Sequence, residues 1–153
     1  MTGDDALFAG PPTSLDALLA AREARAARRA ALLAQGAVAV TASVVLPGPV
    51  KDCQLSRDVA AAADAALIAA FAAPDWRAER VFAAVGAAGP EALWRLDGDA
   101  RDIKRATLAI EESHPLGRLF DLDVEMREGP LSRATLGAPA RACLVCGAPA
   151  HEC

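Results

Sequence analysis

The run Phe120-Asp121-Leu122-Asp123-Val124 alternates strictly between apolar and acidic side chains. Successive side chains of a β-strand point to opposite faces, so Phe120, Leu122 and Val124 share one face and Asp121 and Asp123 the other. Leu119–Glu125 therefore reads as a half-buried strand, the last clear one in the chain. Burying its apolar trio against helices turns both carboxylates toward the open face of a sheet, where Thr41, Ser43, Arg95 and Asp97 would project from neighbouring strands.

Working outward, Asp99 is a natural N-cap for a helix over Ala100–Glu112, and His114-Pro115 ends it because the residue before proline avoids helical geometry. Glu79–Val85 and Glu91–Asp97 read as strands joined through Gly86, Gly89 and Pro90, a plausible hairpin. A helix over Ser56–Ala73, closed by Pro74, precedes them. Ala37–Leu46 is a strand that Pro47-Gly48-Pro49 stops. Ahead of it lies a helix over Leu15–Gln35, capped by Ser14 or Asp16 and stopped by Gly36. From Arg127 onward, Gly, Pro and small residues predict irregular structure, and residues 1–14 are expected to be disordered.

Without the first helix the order is βαββαβ. That is an α+β class, an antiparallel sheet with helices on one face in a ferredoxin-like arrangement, with an extra N-terminal helix and an irregular Cys-rich tail. The last strand then lies antiparallel beside the first, and the segment near Arg118 sits next to Pro47–Lys51. A nucleotidyltransferase-like palm is the alternative fold. The 153 residues make one domain, with Phe71, Trp76, Phe82, Trp94 and Phe120 as the large core anchors.

A formal net charge of −4 gives no global field for nucleic acid, so a polyanionic ligand needs a local basic cluster. The most apolar run, Val59–Ala73, is broken by Asp64 and is shorter than the ~20 residues a membrane helix requires. The N-terminus, with Asp4 and Asp5, lacks a basic-then-apolar signal pattern, and the expectation is a soluble cytoplasmic protein. On the first helix Leu15, Leu18, Leu19, Leu32 and Leu33 form an apolar stripe, while Arg22, Arg25, Arg28 and Arg29 form a basic face. That face is either simply solvated or a docking surface for an acidic protein.

Two aspartates at i and i+2 on a rigid strand suit a hard divalent cation. Mg²⁺ takes one or two carboxylates and completes its shell with water and substrate phosphates. The same pattern also occurs on plain solvated strands. Arg118, directly before the strand, offers a forked donor to phosphate oxygens, or merely pairs with Asp121 or Asp123. Gly117 beside it allows unusual backbone angles. Lys51 follows the rigid turn and faces the same site in the proposed topology. Gly48 in that turn and Arg57 at the start of the next helix complete the candidate substrate-binding set. His114 is a candidate general base, or a histidine that hydrogen-bonds its own loop.

Four cysteines are present, three of them crowded into the tail. Cys143-x-x-Cys146-Gly is a knuckle spacing that points two thiolates at one metal, and His151 and Cys153 can complete a tetrahedral Zn²⁺ site. Inert reduced thiols and redox chemistry are the other readings.

Several stretches together resemble a known family. They are Ala20–Arg25, Pro47-Gly48-Pro49-Val50-Lys51, Gly89-Pro90-Glu91-Ala92-Leu93, then Asp97, Asp99, Lys104 and Glu111-Glu112. The run His114-Pro115-Leu116-Gly117-Arg118-Leu119-Phe120-Asp121-Leu122-Asp123-Val124 follows, with Leu131-Ser132-Arg133, Leu136-Gly137 and Arg141–Gly147. Nearly the whole chain is similar to the citrate lyase holo-acyl-carrier-protein synthases, or apo-citrate lyase phosphoribosyl-dephospho-CoA transferases. Members of that family continue beyond the position of Cys153 with a short basic segment and a further histidine, which this sequence does not include.

The resemblance implies transfer of a group from 2′-(5″-triphosphoribosyl)-3′-dephospho-CoA to a serine of the apo-acyl carrier (gamma) subunit of citrate lyase, with release of pyrophosphate. It implies that Asp121 and Asp123 hold Mg²⁺ against the triphosphate while Arg118 and Lys51 offset its charge. The Asp-apolar-Asp pattern is also similar to the metal-binding strand of nucleotidyltransferases, as an analogy of chemistry. A non-catalytic carrier-binding or assembly factor of the lyase complex, and a small zinc-binding adaptor, are the competing readings.

Overall fold

The computed structural model describes residues 6–143 and 145–153. Its main elements are α1 (Leu15–Leu33), β1 (Val38–Val44), α2 (Gln54–Ala72), β2 (Arg77–Gly86), β3 (Gly89–Asp97), α3 (Ala100–Ser113), β4 (Phe120–Met126) and β5 (Gly129–Leu131). Among the described residues, no helix is long and apolar enough to cross a membrane.

Local chemistry places most of these ends. Asp99 Oδ1 accepts the N–H groups of Arg101 and Asp102, both at 3.0 Å, and so caps α3. Ser14 does the same for α1 through the N–H of Ala17. The start of α2 differs from the sequence expectation. Ser56 lies within the first turn, where its Oγ accepts from Cys53 N at 3.1 Å and donates to Cys53 O at 2.9 Å. The helix therefore begins at Gln54.

The five strands form one sheet in the order β2-β3-β1-β4-β5, every neighbouring pair antiparallel. β4 lies antiparallel beside β1, and Val45 N donates to Leu119 O at 2.8 Å, so the segment entering β4 does meet the end of β1. β5 is a correction: part of the tail expected to be irregular turns back and pairs Val124–Met126 with Gly129–Leu131. Three residues that include Gly and Pro carry no alternation that could have announced a strand. Gly10–Thr13, within the leader expected to be disordered, is also seated. Pro12 bridges to Val50, and Thr13 N donates to Pro49 O at 2.8 Å.

One face of the sheet carries Val38, Val40, Trp94, Leu96, Phe120, Leu122 and Val124. It packs on α2 and α3 through Val59, Ala63, Leu67, Phe71, Ile103 and Ile110. The four α2 residues recur every fourth position and so form one stripe. Phe71 meets Trp94 edge-on, with ring centroids 5.6 Å apart. Trp76 and Phe82 are only partly buried. The other face is not open along its whole length, because α1 lies on it and packs Leu32 against Ala37, Ala39 and Leu93.

The outer edge of β4 ahead of β5 is completed by side chains. Glu111, 7% exposed on the buried side of α3, accepts the N–H of Leu122 at 3.0 Å. Lys104, two turns earlier on the same stripe, donates to Leu122 O at 3.3 Å, and Arg141 donates to Phe120 O at 2.7 Å. Arg133 and Arg141 pair with Glu111 at 2.7 and 3.2 Å and offset its charge. Burial pushes the Lys104 ammonium down in pKa, against the opposing pull of Glu111 and the aspartates of β4.

Gly117 is a glycine for want of space. A Cβ there would lie 2.2 Å from Glu111 O, and its φ is not in the left-handed region, contrary to the expected unusual backbone. Gly48, by contrast, has φ +87° and needs glycine for conformation.

Truncating Glu111 strands two arginines and a strand N–H. Glu111→Ala is expected to cost about 3 kcal/mol, whereas Glu112→Ala, whose side chain is largely exposed, costs at most about 1 kcal/mol. Urea unfolding of both variants measures this, and equal midpoints would contradict the edge-completing role.

Candidate active site

The face opposite the main core is set by strand register. Asp121 stands across from Ser43, Asp123 from Thr41 and Glu125 from Ala39; on the far side of β1, Ser43 faces Glu91 and Thr41 faces Leu93. Ser43 Oγ donates to Asp121 Oδ2 at 3.2 Å. Asp121 is half-buried and Asp123 exposed, while Phe120, Leu122 and Val124 between them are sealed on the other side. The alternation thus places both carboxylates as expected, on one accessible face of a rigid strand.

α1 neutralises part of this face. Arg25 pairs with Glu91 at 2.8 Å, Arg28 pairs with the same carboxylate, and Arg29 pairs with Glu125 at 3.2 Å. The Arg28 guanidinium also sits 3.9 Å over the Phe82 ring. These three arginines therefore turn inward onto the sheet, which corrects the simply solvated reading for them; Arg22 remains exposed. Among the described residues, neither Asp121 nor Asp123 forms an ion pair. Beside them the hydroxyl of Thr41, 3% exposed, has no hydrogen-bond partner among the described residues.

Asp123 responds to this setting. Although it reaches solvent, the surrounding protein withdraws water from its carboxyl and raises its pKa. The charge of Asp121 raises it further, against the pull of Lys104 and Arg29.

The other candidates are engaged locally. Arg118 lies in a 3-10 turn over Gly117–Leu119, and its Nη2 donates to Ala142 O; it pairs with neither aspartate. Lys51 Nζ donates back to Leu46 O at 2.5 Å across the Pro47-Gly48-Pro49 turn. Arg57 forms a forked pair with Asp52 at 2.8 and 3.0 Å. His114 Nδ1 accepts from Leu116 N at 3.0 Å, and its ring packs 4.8 Å from Phe120. This is the loop-bonding role.

Sequence reasoning did not anticipate a groove of about 420 Å³ between α2 and the β2–β3 hairpin. Ala60, Ala61, Ala83 and Ala84 line it, with Arg57 and the Arg80–Asp64 ion pair. Ser43 and Glu91, which belong to the carboxylate face, line it too. The signal was in the sequence as paired alanines on adjacent elements, where small side chains leave room.

In the tail, the thiols of Cys143, Cys146 and Cys153 gather with all three sulfurs within 4.8 Å of one another. His151 does not join them and instead faces Glu152 at 3.5 Å, which corrects its place in the expected ligand set. Hydrogen bonds from the backbone of Cys146 and Val145 and from the Cys153 thiol pull Cys143 down to about 7, and Cys153 is pushed up to about 11 by the same pairing.

A family model described as apo-citrate lyase phosphoribosyl-dephospho-CoA transferase matches residues 13–153. A protein of that name from Escherichia coli strain HS is 42% identical over 142 residues, which is 92% of this chain and 78% of that one. Its counterpart from Citrobacter koseri is 41% identical over the same coverage.

The strained ionisation of Asp123 has a measurable sign. A carboxyl held above its ordinary value costs the fold stability at neutral pH, and the cost is relieved as pH falls through the raised value. Asp123→Asn is therefore expected to raise the unfolding temperature at neutral pH, by no more than about 1 kcal/mol in stability at so exposed a site. The gap should narrow toward about pH 4. A variant less stable than wild type at neutral pH contradicts this.

Proposed function

The chain belongs to the apo-citrate lyase phosphoribosyl-dephospho-CoA transferase family, and we propose that it carries out the transfer which that name describes. The acceptor in this reading is a serine hydroxyl on the apo-acyl carrier (gamma) subunit of citrate lyase, and the donor is triphosphoribosyl-dephospho-CoA. The serine oxygen attacks the ribose-linked phosphorus of the donor triphosphate and forms a phosphodiester. The bond to the outer phosphates breaks, pyrophosphate leaves, and the serine proton passes to solvent. This is nucleotidyl-type chemistry, which depends mainly on positioning and on charge neutralisation.

One observation carries the reading. On a single face of the sheet, Glu91 and Glu125 are each ion-paired by arginines of α1, while Asp121 and Asp123 between them have no ion-pair partner among the described residues. An unmatched pair of carboxylates on a rigid strand, beside an unpartnered Thr41 hydroxyl, fits a hard divalent ion. Mg²⁺ held there would draw charge off the triphosphate and the leaving pyrophosphate.

The protein's own groups do the rest. Asp121, oriented by Ser43, and Asp123 present their oxygens in fixed register. Arg118 has guanidinium donors beyond the one given to Ala142, and Lys51 has ammonium hydrogens beyond the one given to Leu46; both can meet phosphate oxygens at the end of β1. Gly48 shapes that turn. The alanine-lined groove, of a size usual for small-molecule sites, takes the non-reacting arm of the donor, with Arg57 beside it. We place the reaction in the cytoplasm. The assembly-factor reading is not favoured, since it gives the unmatched carboxylates no task.

Purified apo-carrier incubated with donor and Mg²⁺ should gain the mass of the prosthetic group. Asp121→Ala and Asp123→Ala should slow the gain by on the order of 10²-fold or more. Full-rate modification by either variant would remove the metal role, and an unmodified carrier with folded wild-type protein would remove the transferase.

A further inference from the structure

We propose that Cys143, Cys146 and Cys153 form a soft-metal site, for zinc in the first place, that clamps the tail hairpin onto the loop carrying Arg118. This inference does not depend on the reaction, because it concerns a separate cluster and is read by metal content.

The geometry is that of a metal knuckle. Cys143 N donates to Ala148 O at 2.6 Å and Ala150 N to Arg141 O at 2.7 Å, closing a hairpin with an isolated bridge between Ala142 and Pro149. Gly147, directly after Cys146, takes φ +72°, which turns the chain back under the sulfurs. Val145 N donates to Cys143 Sγ at 3.4 Å, which fixes that sulfur toward the turn. Two thiolates bound tetrahedrally at about 2.3 Å from zinc lie about 3.8 Å apart. Cys146 Sγ and Cys153 Sγ are 3.6 Å apart. The fourth position falls to water or another donor, since His151 is turned away.

The tail also has a need that a metal meets. None of the described residues of 141–153 is buried, and Val145 is 93% exposed, so the described part of the hairpin has no apolar core of its own. Small segments without a core are commonly held by a metal whose binding free energy becomes folding free energy. The hairpin is nevertheless stitched to the loop before β4. Ala142 O accepts from Arg118, and Arg141 Nη2 donates to Gly117 O at 3.3 Å and to Phe120 O at 2.7 Å. A metal that fixes Ala142 therefore fixes the guanidinium of Arg118.

The full chain, loaded with zinc and dialysed, should retain about one zinc per molecule, and Cys143→Ser and Cys146→Ser should lose most of it. Cobalt substitution of the wild type should give thiolate-to-metal charge-transfer absorption, a readout that stands even if a variant folds poorly. Chelation should weaken hydrogen-exchange protection of the Gly117–Phe120 amides by on the order of tenfold. Wild-type protein that retains no metal, variants with equal zinc, or a disulfide between Cys146 and Cys153 in place of metal would overturn the site. Unchanged protection after chelation would overturn the clamp.

Discussion

Everything at the candidate site follows from the burial of Phe120, Leu122 and Val124. These side chains are sealed against α2 and α3. A slip of one residue would carry all three to the polar face, so the register of β4 is strongly specified. That leaves Asp121 and Asp123 no orientation but outward. The strand also needs an outer partner that β5 is too short to supply, and Glu111, Lys104 and Arg141 provide one from their side chains. A buried ionic network of this kind is a weak source of net stability. Its value here is geometric, for it holds the backbone of Leu122 between the two aspartates.

The second constraint is the unequal treatment of charge on the outer face. α1 turns its arginines toward Glu91 and Glu125 and stops short of ion-pairing the aspartates. Reduced hydration, and after it the nearby charge of Asp121, push the Asp123 carboxyl up in pKa and oppose folding at neutral pH. Sites that break a local rule of stability are where function is expected. A divalent ion would remove the conflict.

Much of this was legible in the chain. The alternation of β4 survives in sequence because one face is buried and the other is not, and Asp99 marks the start of α3 by plain capping chemistry. Other features hide for physical reasons. Ser56 reads as the start of α2 but sits inside its first turn. Lys104 and Glu111 are charged residues on the buried stripe of a helix, a position where charge is costly unless paired, and their partners come from β4 and the tail. The basic face of α1 reads as solvent-facing by habit, and only the register of β1 with β3 and β4 shows that Glu91 and Glu125 lie beneath it. The three clustered thiols follow from their spacing, whereas the orientation of His151 does not.

The account stands most directly on where a divalent ion goes. Crystals of the full chain grown with Mn²⁺ and inorganic triphosphate would locate it by anomalous scattering. The expected result is a peak shared by the carboxylates of Asp121 and Asp123 and by phosphate oxygens, on the Ser43 side of the sheet. A peak elsewhere, or triphosphate bound with no metal at the two aspartates, would contradict it.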